Sequence, residues 1–248
     1  MAPLIYLKQV DSTNNYLKGW VSQQKVEEGT VIYTYFQSAG KGQRGNSWES
    51  EDGKNILFSI VLYPDMIDAN EQFIVSQIVS LAIVEVIQSK LDTKHKDSIT
   101  IKWPNDIYWK NKKLCGILIE NSLIGSNIKE SIIGIGININ QTKFESNAPN
   151  PISLKQITGL DYELETLLAE LQKKIMEYYT GFINEKTNLN KHYKDTLFRN
   201  KGFHLYNDGK TNFNAKIKDI EPSGILVLET EDGEIRRFAF KEVSYILN

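Results

Sequence analysis

Cysteine is almost missing from this chain: Cys115 is the one cysteine in 248 residues. An intrachain disulfide and a zinc site built from thiolates are both excluded. Histidine is scarce as well, and His95, His192 and His204 lie far apart with no metal-ligand spacing, so no protein-held metal is expected. Neither sign of charge dominates. With 29 Lys+Arg against 31 Asp+Glu, a protein that grips nucleic acid through bulk positive charge is disfavoured. No unbroken apolar run approaches the roughly 18 residues of a membrane span. The first residues, Met-Ala-Pro-Leu-Ile-Tyr-Leu-Lys, lack the basic-then-apolar order of a signal peptide. A soluble, cytoplasmic protein without a membrane or nucleic-acid partner is therefore expected. Apolar residues, by contrast, make up 41% of the chain, enough for a substantial core. At roughly 150 residues per domain, the length fits one large domain or a large one with a small appendage.

Hydrophobic periodicity divides the chain into a block of interleaved strands and helices and a small β module. Leu4–Val10 reads as a strand, and Asp11-Ser12-Thr13-Asn14 can cap a helix over 13–22. Thr30–Phe36 and Ile56–Tyr63 are β-branched or aromatic strands separated by a Gly-rich loop. Apolar residues recur at helical spacing over 71–90, including Ile74, Ile78, Leu81 and Val86. Ile99–Trp103 is a short strand stopped by Pro104-Asn105-Asp106. Leu114–Leu123 and Ile128–Ile139 predict a hairpin, Glu145–Pro151 a loop, and 161–184 and 188–200 helices. Beyond 202, strands alternate with Asp208-Gly209, Ser223-Gly224 and Asp232-Gly233, each a good turn dipeptide. Those roughly 45 residues predict a compact β barrel.

Four short stretches carry chemistry. Gly40-Lys41-Gly42-Gln43-Arg44-Gly45 matches the form of a dinucleotide fingerprint, G-x-G-x-x-G, but that motif must open a helix. Here Asn46-Ser47-Trp48 leads towards another strand, so the Rossmann fold fails on context. A plain β-loop-β connection would account for the stretch. Yet glycines exposing backbone N–H groups beside Lys41 and Arg44 suit a phosphate ligand. Lys102-Trp103-Pro104-Asn105-Asp106 is either a turn around a packed Trp or a device presenting Asn105 and Asp106 together with an anion-binding Lys102. Lys112 and Lys113, on a hairpin edge, read as solvated surface when taken alone. Ser12-Thr13-Asn14 could be only a helix cap, and Cys115, in an apolar strand, is expected to be inert.

Taken together, these stretches resemble one family, the biotin protein ligases, also called biotin–[acetyl-CoA-carboxylase] ligases. That family shows Ser-Thr-Asn early, a G-R-G-R-x-G-x-x-W loop, K-W-P-N-D and K-x-x-G-I-L-x-E. This chain has Ser12-Thr13-Asn14, Gly40 to Trp48, Lys102 to Asp106 and Lys113 to Glu120, in that order and at those spacings. The resemblance covers the whole chain. It implies an α+β fold: a mixed, largely antiparallel sheet with helices packed on it, like a class II synthetase, over residues 1–200. A small SH3-like β barrel over 201–248 completes it. With the motifs starting at residue 12, the monofunctional type without an N-terminal DNA-binding domain is expected.

The implied reaction joins biotin and ATP into biotinyl-5′-AMP and passes biotin to a lysine of a biotin carboxyl carrier domain. No enzyme nucleophile is needed, in keeping with a chain that has no Ser/His/Asp or Cys/His constellation. Two anionic reactants must be brought together, however, which calls for cations: Lys41, Arg44, Lys102 and Lys113, with Mg²⁺. The resemblance puts Ser12, Thr13, Asn14, Gln37 and the loop Gly40, Lys41, Gly42, Gln43 and Arg44 around biotin and the acyl phosphate. It puts Lys113 on the reacting oxygens and Gly116 where backbone passes close to ligand. Trp48, Asn105 and Asn138 match adenylate-binding positions. Two roles stay open for Asp106: accepting the proton of the incoming amine, or orienting Lys113. The loop departs from the family pattern, because Lys41 and Gln43 stand where arginine is frequent. That loses a two-pronged phosphate contact and weakens the expected hold on the adenylate. The rivals are a lipoate or octanoate ligase of related fold, whose loop is of the Arg-Arg-x-x-Gly-Gly-Gly type, and a non-catalytic biotin-sensing regulator. Monomer and homodimer are both open.

Overall fold

Strand β3 (Ile56–Leu62) is buried at every position, because the sheet that contains it is covered on both faces. The computed structural model of the protein describes residues 2–42, 47–145, 150–185 and 188–247. In its larger sheet, β1 (Leu4–Tyr6), β2 (Val31–Thr34), β3, β4 (Ile99–Lys102), β5 (Asp106–Trp109), β6 (Lys112–Ile124) and β7 (Asn127–Ile137) are ordered β1-β2-β3-β7-β6-β5-β4. The β1–β2 pair is parallel and every other pair antiparallel. This is the mixed, largely antiparallel sheet expected. The Leu4–Val10 strand is shorter than its pattern predicts, and Val10 makes only an isolated bridge to Gln37.

Side-chain alternation sorts the two faces. On one face Phe58, Ile60, Ile133, Ile135, Cys115 and Ile117 join the main core. Helix α2 (Phe73–Ser89) lies across that face, with α5 (Leu164–Glu185) packed on α2. Residues 69–89 are long and apolar enough to cross a membrane by composition. Thirteen of the 17 residues of α2 are nevertheless buried inside the protein, so it is a core helix. The opposite face carries a smaller cluster of Ile32, Val61 and Ile132 under Leu17 of helix α1 (Thr13–Gln23). The short helices α3 (Thr93–Lys96), α4 (Leu154–Thr158) and α6 (Asn190–Asp195) and one 3₁₀ turn at Ala69–Glu71 complete the helical set among the described residues.

The C-terminal strands β8 (His204–Asn207), β9 (Asn212–Ile220), β10 (Leu226–Thr230), β11 (Ile235–Phe238) and β12 (Ser244–Tyr245) form a separate antiparallel sheet, ordered β11-β10-β9-β8-β12. All three turn dipeptides place their glycine at positive φ, with Gly209 at 86°, Gly224 at 93° and Gly233 at 85°. The barrel expected here is drawn by hydrogen bonding as an open sheet with β11 and β12 at its edges. This sheet docks on the larger body through Trp103, whose Nε1–H donates to the Gly224 carbonyl at 3.0 Å. A further bond runs from the Phe73 N–H to the Pro222 carbonyl at 3.3 Å.

Candidate active site

A row of glycines on the α1 face of the sheet opens the space in which the site lies. Gly134 and Gly136 alternate with core isoleucines on β7, and Gly116 of β6 stands directly across from Gly136. A methyl group at Gly134 would collide with the Asn14 carboxamide, and one at Gly136 would come within 2.5 Å of the Trp48 ring. Gly116 is equally constrained, since a Cβ there would approach Trp48 at 2.8 Å and Lys113 Nζ at 3.4 Å. Glycine is required at all three because a side chain already occupies the place of its Cβ.

Over this floor lies a cleft of about 890 Å³. Its α1 end is a hydrogen-bond network around the buried Thr13, Asn14 and Ser59. Ser12 sits at the N-cap position, but its hydroxyl makes no capping bond. Thr13 donates its N–H to Gln37 Oε1 at 2.8 Å, and its hydroxyl lies 3.2 Å from the same oxygen. Ser59 Oγ is 2.7 Å from Thr13 Oγ1 and 2.5 Å from Asn14 Oδ1. Asn14 Nδ2 donates to Glu120 Oε2 at 3.0 Å, and Lys18 pairs with the other Glu120 oxygen at 3.1 Å. The Asn14 amide is thus held in one orientation by acceptors on one side and a hydroxyl donor on the other.

The other end of the cleft is cationic. Lys113 Nζ lies 2.8 Å from Asp106 Oδ1 and 5.7 Å from the centre of the Trp48 ring. Lys102 donates to the Tyr108 hydroxyl at 3.2 Å, and burial pulls its pKa below the ordinary lysine value, with Asp106 working in the opposite direction. Burial also pushes the Cys115 thiol far up, which leaves it without thiolate character, as expected.

Of the site residues expected from sequence, Ser12, Thr13, Asn14, Gln37, Lys41, Gly42, Trp48, Lys102, Asn105, Asp106, Lys113, Gly116 and Asn138 all line this one cleft. Lys41 also reaches Asn15 Oδ1 at 2.8 Å. Gly40 does not line the cleft: its carbonyl accepts from the Trp48 N–H at 3.0 Å, beside the Lys41–Ser47 bridge. Gln43 and Arg44 fall outside the described residues. The amides of Asn105 and Asn138 donate to the Ile117 and Ile152 carbonyls respectively, so both residues brace neighbouring backbone as well as line the cleft.

Three residues escaped the sequence reading. Ser59 interrupts an otherwise apolar strand, Ile56–Leu62, on the α1 face; that lone polar residue was the available signal. Tyr108 and Tyr245 flank Lys102, and nothing local in the sequence marks either. Replacing Ser59 with alanine is expected to weaken ligand binding at the α1 end roughly tenfold, because the Asn14 carbonyl loses its donor and a buried unsatisfied group costs about 1–3 kcal/mol. Titration of biotin, the ligand expected from the sequence resemblance, by intrinsic fluorescence checks this, and unchanged affinity would make Ser59 a packing residue.

Comparison with known proteins gives a consistent set of relatives. A family model described as the biotin/lipoate A/B protein ligase family matches residues 6–138. The bifunctional ligase/repressor BirA of Escherichia coli strain K12 is 31% identical over 243 residues, spanning 96% of this chain and 72% of that protein. The protein of the same name from Bacillus spizizenii is 30% identical over 240 residues, spanning 93% and 70%. Among solved structures, a biotin protein ligase from Aquifex aeolicus in complex with biotin and ATP matches with a TM-score of 0.77 at 26% identity, over 98% of each chain.

Proposed function

Because the chain belongs to the biotin/lipoate A/B protein ligase family, we propose that it is an ATP-dependent biotin protein ligase. It joins biotin to ATP as biotinyl-5′-AMP and transfers biotin to a lysine of a biotin carboxyl carrier domain. One observation favours biotin over lipoate: the α1 end of the cleft is a set of hydrogen-bonding groups, the buried Thr13, Asn14 and Ser59 with the half-buried Gln37. These groups pair with one another, and a cyclic urea, with its N–H donors and carbonyl acceptor, can join that network, whereas a dithiolane ring brings neither a donor nor a strong acceptor to it.

In the first step the biotin carboxylate attacks the α-phosphorus of ATP and pyrophosphate leaves. In the second the lysine ε-amine attacks the acyl carbon, AMP leaves and the amine gives up a proton. The protein's contribution is placement and charge. Ser12, Thr13, Asn14 and Gln37 hold the bicyclic end of biotin. Lys113 and Lys102, with Lys41 and Arg44 of the loop, offset the repulsion between carboxylate and triphosphate. Trp48, Asn105 and Asn138 take the adenylate. The 2.8 Å ion pair supports the orienting role for Asp106. Among the described residues no cluster of three or more His, Cys, Asp or Glu could hold a metal, and Mg²⁺ commonly binds through substrate phosphates with one or two carboxylates. Mg²⁺ is therefore taken to arrive with ATP. We also take 1–200 as the catalytic unit, 201–248 as its SH3-like module, and the cytoplasm as the compartment, without a nucleic-acid or membrane partner.

The deciding experiment offers ATP and Mg²⁺ with either biotin or lipoate and a carrier domain, followed by intact mass. The expected product carries one biotinyl group. Lipoyl transfer without biotinyl transfer would replace the proposal with the rival ligase.

A further inference from the structure

Lys102 is set apart from the other cations of the cleft. Among the described residues it has no carboxylate within ion-pair distance, although Lys113, close by, is paired with Asp106. Its ammonium donates to the Tyr108 hydroxyl at 3.2 Å and lies 5.3 Å from the centre of the Tyr245 ring. Tyr245 belongs to β12 at the edge of the C-terminal sheet, and it lines the same cleft. The ring is buried and wedged against Tyr206 at 5.0 Å and Phe198 at 5.8 Å between centroids. Its hydroxyl is buried without a hydrogen-bond partner among the described residues. The aromatic face, and not the hydroxyl, is therefore what Tyr245 offers to the cleft.

We propose that Tyr245 is a positioning residue, which holds the Lys102 ammonium towards the nucleotide half of the cleft through its ring. A cation over an aromatic face is attracted by the ring quadrupole, more so where water is excluded. The charges around Lys102 explain why such a hold is needed. Lys113 and Arg199 repel its ammonium and Asp106 attracts it. A Lys102 free to swing would compete for Asp106, displacing Lys113 from its 2.8 Å pair. The Tyr245 ring at 5.3 Å, together with the Tyr108 hydroxyl and its ring at 4.8 Å, keeps Lys102 off Asp106, so that two separate cations are presented to the triphosphate. It follows that the C-terminal sheet contributes to nucleotide binding from a position that touches Lys102. This inference rests on the biotin ligase proposal only for the identity of the nucleotide reaction.

The test uses the full chain, substitutions at position 245 and one at Lys102. Binding of adenosine 5′-(α,β-methylene)triphosphate with Mg²⁺ is measured by calorimetry at saturating biotin, and biotin binding is measured separately. Tyr245→Phe should keep nucleotide affinity within about twofold, and Tyr245→Leu, of similar apolar bulk but without a ring, should lose about fivefold or more. Biotin affinity should stay the same in both. In a Lys102→Met background the leucine substitution should have no further effect, because the two residues act as one unit. Should the leucine variant unfold, 4-fluoro- and 3,4,5-trifluorophenylalanine at position 245 keep the shape and weaken the ring quadrupole. Affinity should then fall stepwise with fluorination.

Equal nucleotide affinity for Phe, Leu and the fluorinated rings would overturn the proposal. Parallel losses in biotin and nucleotide binding would reduce Tyr245 to a packing role, and so would full additivity with Lys102→Met. A parent protein that binds the analogue but turns over lipoate instead of biotin would overturn the ligase assignment alone, leaving the Tyr245 comparison to be decided by its own data.

Discussion

Replacing Lys113 with alanine lowers biotin-dependent ATP–pyrophosphate exchange by about 10²–10³, or roughly 2.7–4 kcal/mol of transition-state stabilisation, while the fold persists. Lys113 is fixed at both main-chain groups: its N–H donates to the Asn150 carbonyl at 2.8 Å, and its carbonyl accepts from the Ile152 N–H at 2.9 Å. The side chain leaves that anchored backbone alongside the Gly116 floor and meets Asp106. Without the ammonium, the Asp106 carboxylate would face an incoming carboxylate and triphosphate, and a cation would be replaced by an uncompensated anion. Stability should change little, because a partly exposed ion pair is worth at most about 1 kcal/mol. The exchange assay and a thermal melt read the two effects separately. An exchange rate equal to the parent's would return Lys113 to the solvated surface of its hairpin.

Adjacency along the chain made half of this site legible. Lys102 to Asp106 and Lys113 to Glu120 lie on successive antiparallel strands joined by short turns, which bring them side by side; a register shift between Ile107 and Tyr108 then sets Asp106 opposite Gly116, and nothing in the sequence marks it. Strand β5 was hidden, because its four residues begin inside the Pro104-Asn105-Asp106 turn signal. Helix α4 was missed despite a usable cue: Ser153 and Gln156 form a capping box and Gly159 ends the helix at a φ of 78°. Periodicity tells which face of an element is buried, but it does not tell what covers that face. The Ser59 link to Thr13 and Asn14 spans about 45 residues of sequence and depends on where α1 docks. The approach of Tyr245 to Lys102 depends on how a separate sheet sits against the first.

Two substitutions on β7 should separate the halves of the cleft. Gly134→Ala should weaken biotin binding by about thirty- to 150-fold and Gly136→Ala should weaken nucleotide binding by a similar factor, the equivalent of about 2–3 kcal/mol of overpacking. The two glycines differ by one strand period, so both point to the α1 face, yet they meet different partners. At Gly134 the added methyl meets the Asn14 carboxamide, which cannot retreat, being held by Ser59, Glu120 and the Leu118 carbonyl. At Gly136 it meets the Trp48 ring at 2.5 Å, and the indole must tilt off the floor formed with Gly116. That ring carries a buried Nε1–H without a partner among the described residues, so no hydrogen bond restores it to its place. Its main-chain bond to Gly40 ties any tilt to the base of the Gly-rich loop, carrying the disturbance towards the phosphates and away from Asn14. Calorimetric titration of each variant with biotin, and with the unreactive ATP analogue, measures both affinities. If each variant lost both affinities equally, the cleft would respond as one unit, and assigning its ends to separate ligands would be wrong.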